Sequence, residues 1–398
     1  MKKVIFHVDV NSAFLSWEAV DRLQKGETTD LRTIPSAVCG DPKKRRGVIL
    51  ARSVPAKQYG VTTGEPVMTA LKKCPSLTLV PPNHRLYERC SAELLEFLKD
   101  RCPVVEPFSI DECFMDMTGM EELIGEPLKA AYNLKDEIKT TLGFTVNIGI
   151  SENRLLAKMA SDFSKPDKVH TLYPKEIKEK LWPMDAGFLY MVGETTLKKL
   201  RSIGISTIGD IAKCDPKILE FHLKSAGRTI WNYANGIAQD EEIDTKPAGK
   251  SIGNSTTTAE DIKDRETARL YLMDLCESVG TRLRSTGLKA HTVCVHFKNN
   301  RFVSYSVQRK LDRGIDATGD LFRQAMALFD KGWKKDPLRL IGVTVSSLGE
   351  DSNMQLSILE KADDYEKSSR LDRSIDALRE KYGKDILKRA ALLKKDED

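Results

Sequence analysis

None of the apolar runs in this chain approaches the roughly 18–20 residues needed to cross a bilayer. The amino terminus, Met1-Lys2-Lys3-Val4-Ile5-Phe6-His7, reaches the charged Asp9 too soon for a signal-peptide core. A soluble, cytoplasmic protein with no membrane partner is therefore expected. Organised cysteine is missing as well. The eight cysteines (Cys39, Cys74, Cys90, Cys102, Cys113, Cys214, Cys276, Cys294) contain no C-x-x-C, which fits reduced thiols better than zinc or a disulfide framework. The six histidines show no ligand spacing. Excess charge is small, a formal net +5, so bulk electrostatics is weak support for a nucleic-acid binder.

What the chain does have is core material and clustered charge. Its 398 residues, 40% hydrophobic and 30% charged, suffice for about two to four domains. Lys43-Lys44-Arg45-Arg46 lies between two strand-like runs, and Lys331, Lys334, Lys335 and Arg339 follow a helical stretch. Each cluster suits either a solvated turn or an anion contact. The acids say more. Residues 106–116 read E-P-F-S-I-D-E-C-F-M-D, two short apolar strands meeting at a turn that carries the adjacent Asp111 and Glu112. Neighbouring side chains of an extended strand point to opposite faces, so both acids reach one site only where the backbone turns. Their mutual repulsion is most commonly offset by a divalent cation. A hydrated hairpin turn also favours Asp, so a second acidic strand end is needed to separate the two readings.

Residues 3–10 supply it: a β-branched and aromatic run ends at Asp9, followed at once by Asn11-Ser12, a helix N-cap signal, and an amphipathic stretch from Ala13 to about Gln24. Such a strand, turn and helix presents backbone amides where an anion binds, with Asp9 placed for a cation to bridge to that anion. Together with Asp111 and Glu112, Asp9 completes three hard oxygen ligands. Three carboxylates around two Mg²⁺ ions, with a phosphate chain on the adjacent amides, are the parts of in-line phosphoryl or nucleotidyl transfer.

Along the chain, residues 34–50 read as two strands around the basic turn and 52–60 as a short helix closed by Gly60. Residues 66–73, 83–100 and 127–141 read as helices, 144–150 as an alternating strand, and 153–163 as a helix ending near Ser164-Lys165-Pro166. Strands and helices alternate, but the hairpin is antiparallel, which predicts an α+β fold with a mixed sheet. Beyond Trp182 come short helices punctuated by glycine. There, residues 191–200 form a hairpin leading into a helix whose first amides, around Gly193, Thr195 and Thr196, either hold a DNA phosphate or face water. Residues 239–250, with Pro247 and Gly249, read as a linker.

Residues 251–348 then run strand, long helix, strand, strand, helix, strand. Ala268, Leu272, Leu275, Val279 and Leu283 mark the inner helix face, while Val293, Val295 and Phe297 alternate along a strand. A four-stranded sheet with two helices on one face follows, its other face left to water or a polyanion. Ser255, Thr256, Thr257 and Thr258, and the stretch from Arg301 to Arg309, are the candidate phosphate contacts. In the charged tail, Leu371, Ile375, Leu378 and Tyr382 fall at helical spacing, for a helix that docks or forms on a partner.

These residues resemble the Y-family, lesion-bypass DNA polymerases. His7-Val8-Asp9-Val10-Asn11-Ser12-Ala13-Phe14 is similar to the family's first metal motif, and Phe108-Ser109-Ile110-Asp111-Glu112 to its S-I-D-E motif. Residues 157–166 are similar to the segment carrying a triphosphate-binding lysine, here Lys165. The motifs stand in the family's order across nearly the whole chain. The resemblance implies a right-hand polymerase: palm (1–10 and 75–165), small fingers (11–74), helical thumb (166–240), a linker (241–250) and a little finger (251–348). In the tail (349–398), Gln355-Leu356-Ser357-Ile358-Leu359 is similar to the peptide by which bacterial members bind the sliding clamp. There are departures. Members of the polymerase IV type have tyrosine and arginine where this chain has Val54 and Lys57, and residues 52–57 look closer to the UmuC type. Lys57 keeps a charge but lacks arginine's two-pronged contact, which shifts triphosphate grip toward Lys165 and backbone amides. Val54 removes a phenol hydrogen bond, and Arg52 is expected to compensate by approaching the nucleotide. Met191 stands where the thumb's G-x-G turn has its first glycine.

The resemblance further implies template-directed addition of deoxynucleotides to a primer 3′ end, by a monomer acting across damaged template bases. Asp9 and Asp111 would bridge two Mg²⁺ ions, with Mn²⁺ able to substitute. Glu112 would ligate the ion at the primer hydroxyl, and the Val10 carbonyl the nucleotide-side ion. Asn11, Ser12, Ala13, Phe14, Arg52, Lys57 and Lys165 would contact the nucleotide, Phe14 as the steric gate against a 2′-hydroxyl. Small fingers imply tolerance of damage and modest fidelity. Gly193, Thr195, Thr196, Ser255, Thr256, Arg301 and Arg309 would contact DNA, mainly phosphates, giving salt-sensitive binding. Two rivals stand beside this reading. One is another palm-type nucleotidyl transferase, such as a cyclase, against which the C-terminal modules argue. The other is a non-catalytic DNA- and clamp-binding scaffold, against which all three carboxylates argue.

Overall fold

The computed structural model describes residues 3–41, 47–238, 249–349 and 362–383, with residues 386, 387 and 389 beyond them. The clamp-like peptide 355–359, the basic run 43–46 and most of the linker lie outside the described residues. The described chain divides into two compact units, one ending at residue 238 and one beginning at residue 249.

The first unit is organised on β1 (Ile5–Val10), whose six residues are all buried. The elements that follow are α1 (Ala13–Gln24), β2 (Ser36–Cys39), β3 (Ile49–Arg52), α2 (Val54–Gln58), α3 (Val67–Lys73), β4 (Thr78–Val80) and α4 (His84–Lys99). Then come β5 (Val105–Pro107), β6 (Glu112–Asp116), α5 (Glu121–Ile124), α6 (Pro127–Leu142), β7 (Val146–Ser151), α7 (Arg154–Ser161) and β8 (Val169–Thr171). One sheet has the order β5-β6-β1-β7-β8. β1 runs antiparallel to both β6 and β7, while β7 and β8 are parallel, so the sheet is mixed as its sequence predicts.

Alternation along β1 assigns its side chains to two environments. Phe6, Val8 and Val10 join the large core with Trp17 of α1, Tyr87 and Leu98 of α4, and Ile138 of α6, all nearly or fully buried. On the other face, His7 and Asp9 lie under α7. That helix packs very close because Gly149 of β7 has no side chain: a Cβ there would sit 1.9 Å from the Ala157 carbonyl oxygen and 2.5 Å from the Ser161 nitrogen. A separate small sheet, β3-β2-β4, has its own modest core of Ala37, Ile49, Val61, Val67 and Leu77.

The short helices α8 (Glu194–Ser202), α9 (Ile208–Lys213), α10 (Pro216–Leu223) and α11 (Ser225–Ala234) share a third core around Leu181, Leu200, Ile208 and Leu219. Each is brief because capping and turn residues close in on it. Thr207 and Asp210 form a capping box at α9, and Asp215 caps α10 with Pro216 in its first turn.

The second unit comprises β9 (Ser251–Ile262), α12 (Arg265–Ser285), β10 (Lys289–Asn299), β11 (Ser304–Ile315), α13 (Thr318–Gly332), β12 (Leu338–Gly349) and α14 (Ala362–Tyr382). Its strands form one antiparallel sheet in the order β11-β10-β12-β9. Ala268, Leu272, Leu275, Val279 and Leu283 of α12 are at most 2% exposed and pack with Val293, Val295 and Phe297. The strand–helix–strand–strand–helix–strand expectation holds. The tail helix departs from its pattern, because polar residues make its docking contacts and, of its apolar stripe, only Ile375 is half-buried. Asp376 accepts from Thr281 and Arg284, and Asp372 accepts from the Thr318 amide at 2.7 Å. Leu371, Leu378 and Tyr382 are left 62%, 43% and 59% exposed. Arg284, almost completely buried, demands carboxylate partners there, and that demand selects the docked face.

Candidate active site

The register of β1 against β6 places Asp9 directly opposite Glu112, on the same sheet face. Asp111 comes from the preceding turn. Phe108 and Ser109 both donate their amides to the Glu112 carbonyl, at 2.9 and 3.1 Å, and the Val10 amide donates to the Asp111 carbonyl at 3.0 Å. The Ser109 hydroxyl donates to Asp111 Oδ1 at 2.6 Å and holds that carboxylate in place. The turn therefore does what adjacency in a strand could not, bringing neighbouring acids to one cleft. That cleft, of about 420 Å³, is lined by Asp9, Val10, Asn11, Ser12, Ala13, Phe14, Arg52, Val54, Lys57, Asp111, Glu112 and Lys165, among others. Every residue expected at the catalytic, metal or nucleotide positions is in this one place.

Two lysines neutralise the acids. Lys165 Nζ lies 2.9 Å from Asp9 Oδ2 and 2.9 Å from Asp162 Oδ1, and Lys158 Nζ lies 2.7 Å from Glu112 Oε2. Burial, partly opposed by Lys165 and reinforced by Glu112, pushes the Asp9 carboxyl up to about 7. Glu112 behaves differently. Burial would raise it, but His7 and Lys158 outweigh that effect and hold it well below the usual carboxylate range. His7 Nε2 lies 3.8 Å from Glu112, beyond hydrogen-bond distance, while its Nδ1 meets the Ser161 hydroxyl at 2.9 Å. Burial lowers the His7 pKa. Burial also works against the Lys165 ammonium, but the charges of Asp9 and Asp162 overcome it and raise its pKa. The three carboxylates offer oxygen donors, the chemistry of a hard divalent cation and not of a thiolate-seeking metal, and among the described residues they are not drawn together into a ready-made metal cluster.

The remaining cleft residues are positioned by local features. Ser12 starts α1 in the left-handed region (φ 48°) and makes no side-chain cap. Ser12 is thus the N-cap residue that the sequence predicts, but it caps by position alone, its exposed side chain making no hydrogen bond to the helix amides. Asn11 Nδ2 donates to Thr145 Oγ1 at 3.2 Å, and the Asn11 carbonyl accepts from Ser16 at 2.6 Å. Phe14 stacks on Tyr87, with ring centroids 4.4 Å apart and planes 8° apart, and Tyr87 donates its hydroxyl to Glu18. Arg52 donates to the Thr63 hydroxyl at 3.1 Å, while its buried Nε has no partner. Lys57 sits in the last turn of α2, whose N-cap Ser53 accepts from the Ala56 amide.

Lys158, His7 and Tyr87 were not singled out from sequence. His7 carried a signal, since two positions before Asp9 on a strand means the same face. Lys158 and Tyr87 are adjacent to the site only through tertiary packing.

The expected DNA contacts divide among separate places. Gly193 is the N-cap of α8, with Thr195 and Thr196 in its first turn beside the acidic Glu194, and Met191 takes a left-handed φ of 72° where glycine would be unstrained. Ser255 pairs with Gly342 on the helix-free face of the second sheet. Thr256 pairs with Ile341 and Arg309 with Val293, both core residues, so pairing parity puts Thr256 and Arg309 on the helix-bearing face. This corrects their expected grouping with Ser255. Thr258 is buried and donates to the Arg339 carbonyl. Arg301, in the β10–β11 turn, pairs with Asp336 at 3.2 Å.

Comparison with known proteins follows the same division. Residues 8–162 match the impB/mucB/samB family model, and residues 249–358 match that family's C-terminal domain. Clostridium acetobutylicum "DNA polymerase IV" is 45% identical over 398 residues, covering 100% of both chains. Acetivibrio thermocellus "DNA polymerase IV" is 37% identical, covering 99% of this chain and 98% of its own. Bacillus subtilis "DNA polymerase IV 1" is 33% identical, covering 99% and 94%. The solved Y-family DNA polymerase chimera Dbh-Dpo4(243-245)-Dbh superposes with a TM-score of 0.73 at 24% identity, covering 87% of this chain and 99% of that one, and so shares the fold. With relatives of one name matched from end to end and the acidic cleft in place, this chain belongs to the impB/mucB/samB family, the Y-family DNA polymerases.

Proposed function

We infer that this chain is a template-directed DNA polymerase that extends a primer 3′ end and is specialised for synthesis across damaged template bases. The observation that carries the active-site assignment is the β1–β6 register. It sets Asp9 opposite Glu112, with Asp111 in the turn, on a cleft that also carries Arg52, Lys57 and Lys165. Two divalent ions, Mg²⁺ or Mn²⁺, held by Asp9, Asp111, Glu112 and the Val10 carbonyl, would supply charge stabilisation at the attacking primer oxygen and the departing pyrophosphate.

The chain's own residues do the rest. Lys165, Arg52 and Lys57 bind the triphosphate, and the amides of Ser12 and Ala13 at the start of α1 receive its anionic oxygens, the Asn11 amide being taken by the Thr145 carbonyl. Phe14, held by its stack on Tyr87, is the steric gate at the sugar. The small β2–β4 core supports fingers that make few contacts with the nascent base pair. In this reading the palm is 1–10 and 75–165, the fingers 11–74, the thumb 166–240 and the little finger 251–348. The N-terminus of α8 at Gly193, Thr195 and Thr196, with Ser255 and Arg301, is the starting set of DNA contacts. Gln355 to Leu359 bind the sliding clamp, and the enzyme acts as a monomer.

The decisive experiment is primer extension on an undamaged template with Mg²⁺, wild type beside Asp111→Ala. Extension by the wild type and its loss in the variant, by at least about 100-fold, is the expected result. Wild-type activity retained in Asp111→Ala would overturn the active-site assignment.

A further inference from the structure

One end of the second unit is built from the β10–β11 turn and the α13–β12 connection. These are tied together by hydrogen bonds from the Asn300 amide to the Pro337 carbonyl and from Asn299 Nδ2 to Asp336 Oδ2, and Trp333 Nε1 braces the connection by donating to the Asp336 carbonyl. From this frame Phe302 projects in the left-handed region (φ 62°), 65% exposed, with Val303 beside it 56% exposed. An apolar ring held outward in a strained backbone region is an expense the fold itself does not require. Cations surround the aromatics. The Arg339 guanidinium lies 4.9 Å from the Phe302 centroid, Lys334 Nζ 4.8 Å from Tyr305, and Lys335 Nζ 4.5 Å from Trp333.

Residues 298–305 and 331–339 carry six cations (Lys298, Arg301, Lys331, Lys334, Lys335, Arg339) against the single carboxylate Asp336. That is a local excess of five positive charges at this end of the unit.

We propose that this end of the unit binds single-stranded nucleic acid, with Phe302 as the platform on which an unpaired base stacks and the flanking lysines and arginines holding the adjacent phosphates. Aromatic planes interleaved with cations are how unpaired strands are held without sequence preference. A duplex hides its base faces from such a ring, and an acidic peptide would use the cations and leave the ring idle. The site is distinct from the catalytic cleft and from the helix-free sheet face, and it does not rest on the catalytic reading.

The test uses the full chain, without nucleotide or metal, and fluorescence anisotropy on two primer–templates. Both have equally long 5′ overhangs, one carrying bases and one abasic, so phosphate contacts are equal and only stacking differs. The wild type should prefer the base-bearing overhang about tenfold. Phe302→Ala should lose that preference and Phe302→Trp should keep it, with unchanged melting temperatures. A wild type indifferent to the bases, or a Phe302→Ala variant that keeps the preference, overturns the proposal. Photocrosslinking of the wild type to an iodouracil-bearing overhang is the second measurement, independent of any variant's folding. Crosslinks within residues 299–305 support the site, and their absence there overturns it.

Discussion

Asp9→Asn should make the metal-free protein more stable while abolishing polymerase activity. The wild-type carboxyl has an ordinary value of 3.8 and is raised by burial to about 7 in the fold. Between those values the folded state keeps a proton that the unfolded state has released, so stability is lost as the pH rises through that window and the loss is complete above it. At about 1.4 kcal/mol per pH unit, ionised Asp9 costs on the order of 4 kcal/mol at pH 8. Asn removes the charge but leaves Lys165 with Asp162 alone, so roughly half of that figure, about 2 kcal/mol, should appear as gained stability. For a unit of this size that corresponds to about 4–8 °C in melting temperature.

Circular-dichroism melts in EDTA at pH 8 and pH 5 provide the measurement, with the gain from Asn clearly smaller at pH 5. Adding Mg²⁺ should stabilise the wild type more than the variant, since only the wild type offers the carboxylate. A variant that is less stable at pH 8 in EDTA, or whose gain is the same at both values, would refute the reasoning.

Removing the Phe14 ring while its stacking partner Tyr87 remains should cost Phe14→Ala about 10- to 100-fold in discrimination against ribonucleotides, read as a ratio of kcat/KM values. Full sugar selectivity in that enzyme would refute the gate. Arg52→Ala should weaken deoxynucleotide binding about tenfold or more if the guanidinium reaches the triphosphate, and single-turnover kinetics at varied nucleotide will show it. Unchanged affinity would leave Arg52 a purely structural partner of Thr63. Gly149→Ala forces α7 off the sheet, because the added Cβ meets backbone atoms. Chemical denaturation should report a loss of about 3 kcal/mol, and a loss below about 1 kcal/mol would mean that α7 shifts freely.

The sequence by itself determined the local structure and the chemistry on offer. Alternation in residues 5–10, the apolar periodicity of residues 265–285, and capping residues such as Asn83 and Asn153 depend on near neighbours, so they can be read without knowing the fold. Asp9, Asp111 and Glu112 were legible for the same reason, as acids at strand ends and in a turn. Tertiary structure alone decided what those acids meet. Strand pairing across more than a hundred residues set Asp9 opposite Glu112, and α7 brought Lys158 onto Glu112, while α4 put Tyr87 behind Phe14. Pairing parity moved Thr256 and Arg309 to the helix-bearing face, since a one-residue difference in register reverses every side chain of a strand. The buried guanidinium of Arg284 turned the polar side of α14 inward against its own apolar pattern. Each of these outcomes is a long-range contact between residues that are individually unremarkable, and no local periodicity encodes it.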